Sequence, residues 1–181
     1  KEATKKTPQW VHFGAGNIFR AFPAALQQKL LNEGIEKTGI IVAEGYDYEI
    51  IKKAYRPQDD LSLLVTLKAN GTIEKTVIGS LAESLTVDRH DAADWNRLKE
   101  IFASNTLQMV SFTITEKGYS ITSPDGAFRA DVKADFEAGP ENADSYIGKL
   151  AALCYWRYTQ GAAPLALVSM DNCSHKGDKL F

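Results

Sequence analysis

The stretch that decides the fold reads Trp10-Val11-His12-Phe13-Gly14-Ala15-Gly16-Asn17-Ile18-Phe19-Arg20. Its first four residues form a short apolar run, which ends at a pair of glycines. From Asn17 to about Asn32 the apolar residues recur every three to four positions, which is the spacing of a helix. Gly34 then occupies the position where a left-handed residue commonly ends a helix. The stretch therefore predicts a strand, a tight turn and a helix.

The following segments continue this alternation of strands and helices. Ile40-Ile41-Val42-Ala43 is a β-branched run typical of a strand that is buried on both faces. Helices are predicted over residues 91–103 and 144–160, and further strands over 108–115 and 165–170. Two parallel strands joined through a helix take a right-handed crossover. We therefore predict an α/β fold with a doubly wound, mostly parallel Rossmann-like sheet.

One region breaks the alternation. Residues 61–68 and 73–81 are both strand-like, and Asn70-Gly71 lies between them. Asn-Gly in such a place is a strong hairpin signal, because both residues tolerate positive φ in a type I′ turn. We therefore predict an antiparallel hairpin inserted into the parallel framework. The segment 124–142, rich in Gly, Pro and Asp, is predicted to be an exposed loop or a small subdomain.

The composition argues against several classes of protein. The chain has 181 residues, 44% of them hydrophobic, and a net charge of −2 from 21 basic and 23 acidic side chains. This length predicts one domain, and the near-neutral charge argues against a nucleic-acid partner. No run approaches 18 apolar residues and no signal peptide is visible, so we expect no membrane partner and a cytoplasmic location. Cys154 and Cys173 are expected to be free thiols in a reducing compartment.

The glycine turn is the first candidate site. In a dinucleotide-binding turn the first glycine, here Gly14, permits the bend, and the second, Gly16, lets the main chain approach a pyrophosphate. The helix that follows offers free N–H groups to the phosphates, and Arg20 is expected to add a cationic contact. Phe19 stands where the usual motif has a third small residue, so a merely structural turn stays open as the alternative.

An acidic residue after the second strand is the next candidate. Glu44 directly follows the β-branched run, at a longer spacing from Gly16 than the usual roughly 20 residues. A carboxylate there accepts hydrogen bonds from both ribose hydroxyls and repels a 2′-phosphate, which predicts NAD rather than NADP as the cofactor. Asp47 is the rival residue, and a solvated acidic loop without function stays open as the alternative.

Other chemistries find little support in the sequence. His12, His90 and His175 are scattered and no Cys-x-x-Cys occurs, so no metal site is predicted. Neither a G-x-S-x-G elbow nor a P-loop lysine is present. We expect His12 to be a satisfied core or strand-end residue. His175 and Lys176 are expected to be solvated surface, because a catalytic base needs a dry pocket.

Two further motifs stand after predicted strands, at the edge where doubly wound sheets bind ligands. They are Thr113-Ile114-Thr115-Glu116-Lys117-Gly118-Tyr119 and Ser169-Met170-Asp171-Asn172-Cys173-Ser174-His175-Lys176-Gly177. Together with residues 12–20, these motifs resemble the N-terminal half of the long-chain mannitol dehydrogenase family. The three motifs occur in the same order as in that family, and the resemblance extends over nearly the whole chain. That family oxidises polyols and reduces ketoses and hexuronates with a nicotinamide cofactor. Its glycine motif is similar to G-x-G-N-x-x-R, which accounts for Phe19.

The resemblance implies a role for each matching residue. The residues that would hold the cofactor pyrophosphate are Gly14, Ala15, Gly16, Asn17, Ile18 and Arg20. Thr115 and Glu116 would lie near the nicotinamide ribose. Asn172 would hydrogen-bond the reacting oxygen of the substrate, and Asp171 would support the turn that carries Asn172.

The resemblance also implies that two domains share the reaction, one binding the cofactor and the other carrying the catalytic lysine. The family's catalytic lysine lies on a separate helical C-terminal domain, and no segment after Phe181 is present to carry it. We therefore expect residues 1–181 to be the NAD-binding domain of a mannitol dehydrogenase-like oxidoreductase, with little or no turnover alone. Its partners would be the absent domain and a polyol or sugar-acid substrate. Many polyol-acting members carry histidines where Phe19 and Phe22 stand, which leaves the substrate subgroup open. A stand-alone nucleotide-binding or sensing module without catalysis is the alternative.

Overall fold

The computed structural model describes residues 1–171, apart from the side chains of Glu116 and Lys117. In that part of the chain the strands are β1 (Trp10–Phe13), β2 (Ile40–Glu44), β3 (Ser62–Leu67), β4 (Ile73–Ile78), β5 (Leu81–Thr86), β6 (Met109–Phe112) and β7 (Ala166–Ser169). The α-helices are α1 (Glu2–Lys6), α2 (Asn17–Ala21), α3 (Pro23–Asn32), α4 (Tyr48–Ile50), α5 (Ala92–Ala103), α6 (Thr115–Tyr119), α7 (Ala130–Ala138) and α8 (Tyr146–Thr159). A π-helical turn covers Ile51–Tyr55, and 3-10 turns cover Arg56–Gln58 and Pro140–Asn142.

The central sheet is parallel and doubly wound, as the sequence predicts. Its strand order is β5-β2-β1-β6-β7. Val11 in β1 is paired with Ile41 of β2 on one side and with Val110 of β6 on the other. The chain therefore winds outward from β1 in one direction, returns to the centre at β6, and winds outward in the other direction. Such a reversal leaves a crevice at the carboxyl ends of the two central strands, where ligands bind in open α/β sheets.

Both faces of this sheet are covered, because alternate residues of each strand belong to two different hydrophobic clusters. Val11, Phe13 and Ile41 belong to one cluster, which α5 and α8 complete with the buried residues Leu98, Ile101, Phe102, Leu150 and Leu153. Ile40 and Val42 belong to the other cluster, which the residues Phe19, Ala24, Ile51 and Tyr55 complete. The continuous burial of β2 explains its run of β-branched residues.

The predicted helix from Asn17 to Asn32 is in fact two helices. Pro23 has no N–H to continue the helical hydrogen bonds, and it disfavours helical geometry in the residue before it. The backbone accordingly departs from the helix at Phe22, with φ −118° and ψ −74°, and α3 begins at Pro23. The predicted stop is confirmed, since Gly34 has a φ of +71°.

The antiparallel hairpin is confirmed, but its turn and its second strand differ from the prediction. β3 and β4 pair antiparallel, with Leu67 opposite Ile73. Gly71 has positive φ, whereas the non-glycine residues with positive φ in the described chain are Asp59, Asp60 and Thr115. The turn is therefore not type I′. The Asn70 side chain instead accepts a hydrogen bond from the Thr72 N–H at 3.0 Å, which fixes the turn locally.

The predicted strand over 73–81 is wrong at its end, because it merges two strands. β4 ends at Ile78, and Leu81 begins β5, an edge strand of the main sheet that pairs in parallel with β2. Gly79 and Ser80 form the bend between them. The Ser80 hydroxyl donates a hydrogen bond to the Ala24 carbonyl at 2.7 Å, and the Ser80 carbonyl accepts one from Ile40. These contacts tie the bend to α3 and β2.

The segment 124–142 contains α7 and a 3-10 turn, in keeping with a small subdomain. Among residues 1–171 no helix is long and apolar enough to span a bilayer.

Candidate functional site

A cleft of about 500 Å³ lies at the carboxyl ends of β1 and β6, where the winding of the sheet reverses. Its walls are formed by Gly14, Gly16, Glu44, Tyr46, Thr113, Ile114, Thr115 and Arg129. Four of these residues belong to the predicted site. The sheet topology thus brings the glycine turn, the end of β2 and the turn after β6 to one cavity, although they are far apart in sequence.

Gly14 is a glycine for a structural reason. Its φ is +110°, a value that residues with a side chain rarely adopt. A Cβ at this position would also overlap the main-chain carbonyl oxygen of Thr113, in the neighbouring turn. The Gly14 N–H donates a hydrogen bond to the Ala43 carbonyl at 2.9 Å. This glycine therefore lets the chain leave β1 between its two neighbouring strands.

Gly16 is different, because no contact within residues 1–171 requires a glycine there. Its backbone is extended, with φ −73° and ψ −178°, a conformation open to any residue. Among the residues that the structure describes, and apart from the two chain neighbours of Gly16, no atom lies within 4 Å of the place where its Cβ would stand. The residue caps the N-terminus of α2 and lines the cleft. The open space in front of Gly16 therefore belongs to the cleft rather than to the packing of the fold.

Phe19 leaves the cleft clear. Its side chain is fully buried, and its ring stacks on the His12 imidazole with the centroids 4.1 Å apart. The His12 ring nitrogens contact the hydroxyl oxygens of Ser111 at 2.7 Å and Thr113 at 2.8 Å. Burial lowers the pKa of His12 to about 3, so the ring is neutral at physiological pH. The expectation that His12 is a satisfied core residue is confirmed.

The remaining predicted residues of α2 lie beside the cleft rather than in its wall. Asn17 and Ile18 are exposed, and no side chain caps this helix, so its first N–H groups face outward. Arg20 donates a hydrogen bond to the Asn17 side chain, and its guanidinium lies 5.8 Å from the centroid of the Tyr55 ring. Asn17 and Arg20 line a separate cavity beside the hairpin and are not among the residues that line the cleft. The Arg20 N–H donates to the Gly16 carbonyl at 3.2 Å, so Arg20 adjoins the glycine turn while its side chain lies outside the cleft wall.

Glu44 is built into the glycine turn. One carboxylate oxygen accepts the Ala15 N–H at 2.7 Å, and the other accepts the N–H groups of Tyr46 at 2.8 Å and Asp47 at 3.3 Å. The residue is only 7% exposed, yet it forms part of the cleft wall. The rival residue Asp47 is exposed and is not a wall residue. The negative charge at the end of β2 is therefore fixed in position by three main-chain donors.

The turn after β6 forms the opposite end of the cleft. Thr115 has a φ of +65°, which is unusual for a β-branched residue. The Asp171 carboxylate accepts the N–H groups of Ile114 at 3.0 Å and Thr115 at 3.1 Å, and it also accepts a hydrogen bond from the Tyr119 hydroxyl. Asn172 and the Glu116 side chain, both predicted site groups, lie outside the described residues.

Tyr46 and Arg129 are wall residues that the sequence reasoning missed. The Tyr46 ring stacks on Tyr146 with centroids 4.7 Å apart and an interplanar angle of 14°. Arg129 binds Asp131 through two hydrogen bonds of 3.0 and 2.8 Å. Tyr46 could have been found from its position directly after the acidic strand end. No local sequence pattern identifies Arg129, because its position in the cleft wall depends on the path of the segment before α7.

Comparison with known proteins agrees with this geometry. The family model described as the mannitol dehydrogenase Rossmann domain matches residues 8–181. A D-mannonate oxidoreductase of Thermotoga maritima is 50% identical over 98% of this chain and 33% of that protein. A polyol:NADP oxidoreductase of Gluconobacter oxydans is 31% identical over 94% of this chain and 35% of that protein.

A solved structure supports the same relationship. The ternary complex of Pseudomonas fluorescens mannitol 2-dehydrogenase with NAD and D-mannitol matches with a TM-score of 0.78 at 29% identity, over 95% of this chain and 35% of that one. The chain thus spans about a third of the length of these relatives. The family model covers nearly the whole chain, and the chain therefore belongs to the mannitol dehydrogenase family, as its Rossmann domain.

Proposed function

We propose that this chain is the NAD-binding domain of an oxidoreductase that transfers a hydride between a nicotinamide cofactor and a polyol or sugar acid. The observation that carries the proposal is the open space in front of Gly16. A glycine that the fold does not need, placed at a helix N-terminus in the crevice of a doubly wound sheet, fits the close approach of a pyrophosphate.

The cleft residues fit a dinucleotide along its whole length. The turn from Gly14 to Ile18 would hold the pyrophosphate, chiefly through main-chain N–H groups, because α2 has only five residues and a weak dipole. Glu44 would bind the adenosine ribose. Thr115 and Glu116 would lie near the nicotinamide ribose, with Asp171 as a positioning residue for their turn. When bound, the cofactor supplies the hydride chemistry. Asn17 and Arg20 also line the neighbouring cavity beside the hairpin, and the cationic contact of Arg20 with the pyrophosphate stays a prediction.

We infer a preference for NAD over NADP. The Glu44 carboxylate is held in the wall of the cleft by three N–H groups, so it cannot turn away from a 2′-phosphate. A fixed negative charge there repels that phosphate and favours a free ribose hydroxyl. The polyol:NADP oxidoreductase is only 31% identical to this chain, so we do not carry its cofactor preference over to this chain.

We favour a sugar acid over a polyol as the substrate class. The relative named D-mannonate oxidoreductase is 50% identical, whereas the polyol and mannitol enzymes are near 30%. The relatives are about three times longer than this chain, so we propose that a further helical domain supplies the proton-transferring lysine. Asn172 would bind the reacting oxygen. On this proposal the 181-residue chain binds the cofactor in the cytoplasm but shows little or no turnover alone.

The proposal is tested by titrating the chain with NADH and NADPH and following nicotinamide fluorescence. We expect saturable binding that is tighter for NADH. Gly16→Val should weaken NADH binding at least tenfold, about 1.4 kcal/mol, because the new side chain fills the space for the pyrophosphate. Its melting temperature should stay close to that of the wild type, since the φ and the surroundings of Gly16 accept a side chain.

Ala92→Val is the matched control, because Ala92 is exposed at the start of α5 and lies outside the cleft. It should bind NADH as the wild type does. Absence of NADH binding by the wild type, or unchanged binding by Gly16→Val, would contradict the proposal.

A further inference from the structure

A chain of side-chain hydrogen bonds runs from the interior of the sheet to the wall of the cleft. The Trp10 indole N–H donates to the Ser111 hydroxyl at 2.7 Å. The same hydroxyl contacts Nδ1 of His12 at 2.7 Å, and Nε2 of His12 contacts the Thr113 hydroxyl at 2.8 Å. Ser111 and His12 are fully buried, whereas Thr113 lines the cleft. Three interior groups are thus connected in series to one hydroxyl at the cleft.

The hydroxyl at the end of this chain lies against the glycine turn. His12 is paired with Ser111 in the parallel register of β1 and β6. Residues two positions apart in a strand point to the same face, so the Thr113 and Gly14 positions follow on that face. A Cβ at Gly14 would stand 2.9 Å from Oγ1 of Thr113. The Thr113 hydroxyl is therefore beside the first glycine of the turn.

The protons of the chain follow from which groups are able to donate. The Trp10 indole is only a donor, so the Ser111 oxygen accepts from it. Burial lowers the pKa of His12 to about 3, so the neutral ring has one N–H and one bare nitrogen. Within residues 1–171 the Ser111 hydroxyl has Nδ1 of His12 as its acceptor and no other. The Ser111 proton therefore belongs to the hydrogen bond with Nδ1, and the ring proton is on Nε2.

The opposite tautomer leaves a buried donor without a partner. With a proton on Nδ1 of His12, the Ser111 oxygen would accept from two groups, and its own O–H would be unpaired in a fully buried side chain. Buried donors are nearly always paired, because an unpaired one has lost its hydrogen bonds to water. With the proton on Nε2, the Thr113 oxygen accepts from His12. The Thr113 O–H, which in the described part of the chain contacts His12 alone, is then left to donate outward.

We propose that His12 is a positioning residue, which fixes the Thr113 hydroxyl as a hydrogen-bond donor to the pyrophosphate of the cofactor. This inference rests on the proposed function, which places the pyrophosphate at the turn that begins with Gly14. Phosphate oxygens at neutral pH only accept hydrogen bonds. They match a hydroxyl whose proton is free and whose oxygen is already engaged by Nε2 of His12.

The first test is the tautomer of His12, measured by ¹⁵N NMR on the labelled chain without a ligand. We expect a proton on Nε2 and none on Nδ1. In Ser111→Ala the tautomer should no longer be fixed, because the group that donates to Nδ1 is gone. A wild-type ring with its proton on Nδ1 would overturn the inference and leave the proposed function intact.

The second test is the binding of NADH and ADP by Thr113→Val, which removes the hydroxyl and keeps the shape of the side chain. Both ligands contain a pyrophosphate, so we expect each to bind about tenfold more weakly, as for the loss of a hydrogen bond to a charged group. Thr113→Ser keeps the hydroxyl and should bind both as the wild type does. Thr76→Val is the matched control, because Thr76 is exposed on β4 and lies outside the cleft wall.

The action through His12 is tested by Ser111→Ala in two backgrounds. Without the Ser111 donor, Nε2 of His12 is free to accept the Thr113 proton, so NADH binding should weaken by up to about tenfold. In a Thr113→Val background the same substitution should have no effect on NADH binding. Equal losses in both backgrounds, or wild-type affinity of Thr113→Val for either ligand, would overturn this inference alone. A wild-type chain that binds neither NADH nor ADP would overturn the proposed function and this inference together.

Discussion

The turns after the two central strands face the same cleft but are held in different ways. After β1, the bend is made by Gly14, whose positive φ costs little. After β6, positive φ falls on Thr115, where a β-branched side chain makes it costly. In each turn a carboxylate at the end of the next strand along the sheet accepts hydrogen bonds from the main chain. Glu44 of β2 does so in the first turn, and Asp171 after β7 does so in the second.

The difference shows how a bend can depend on local or on distant residues. Gly14 allows the first bend by itself, and Glu44 adds one hydrogen bond to it, at Ala15. Thr115 carries a strain of about 1–2 kcal/mol, which the hydrogen bonds that the main chain donates to Asp171 must offset. The first turn should therefore be sensitive to its own residue, and the second to a residue more than fifty positions away.

Replacing Gly14 gives the largest expected effect. Gly14→Ala combines an unfavourable φ of +110° with overlap between the new Cβ and the Thr113 carbonyl. We expect it to lower the free energy of unfolding by about 3 kcal/mol or more, measured by urea denaturation. Gly126→Ala is the control, because its φ is also positive but its surroundings are open, and it should cost about 1 kcal/mol. Similar losses in the two variants would contradict a role for the clash.

Removing the carboxylate of the second turn should have the next largest effect. Asp171→Ala leaves the N–H groups of Ile114 and Thr115 and the Tyr119 hydroxyl without this acceptor. We expect a loss of about 2–3 kcal/mol in the free energy of unfolding. The loss should shrink in a Thr115→Gly background, since glycine adopts the same φ without strain. Equal losses in both backgrounds would show that the carboxylate does not offset strain at Thr115.

The parts of the fold that follow from local patterns could be predicted from the sequence. The buried run of β2, the glycine turn and the hairpin all depend on residues close together in the chain. The sequence does not predict β5 as a separate strand, because Glu83 and Ser84 interrupt its apolar pattern. Leu81 is therefore assigned to the end of the preceding strand.

The candidate site was less predictable, because tertiary paths decide it. Glu44 and the glycine turn could be identified, since both stand at strand ends. Arg20 lines the cavity beside the hairpin, and its expected contact with the phosphates stays a prediction. Arg129 lies in the cleft wall, and its position there depends on the segment before α7. Periodicity carries no information about how such a segment crosses the edge of the sheet.

The smallest expected effect, taken per pH unit, concerns His12, which links the two central strands just below their turns. Its ring nitrogens contact the hydroxyls of Ser111 and Thr113 in the β6 region. Because burial lowers the pKa of His12 from 6.5 to about 3, the folded chain keeps the ring neutral while the unfolded chain protonates it. Between pH 6.5 and 3 the unfolded state therefore binds more protons, and stability must fall as the pH falls.

The size of this effect follows from the same difference in pKa. We expect the free energy of unfolding to fall with acidification by up to about 1.4 kcal/mol per pH unit through His12 alone. Urea denaturation at pH 7, 6, 5 and 4 measures it against His12→Gln, which keeps a polar side chain but does not titrate. The variant should be less stable at pH 7 but should lose less with each pH unit. Parallel pH profiles for the two proteins would mean that the neutral imidazole does not join the two strands as described, and that each turn is held independently.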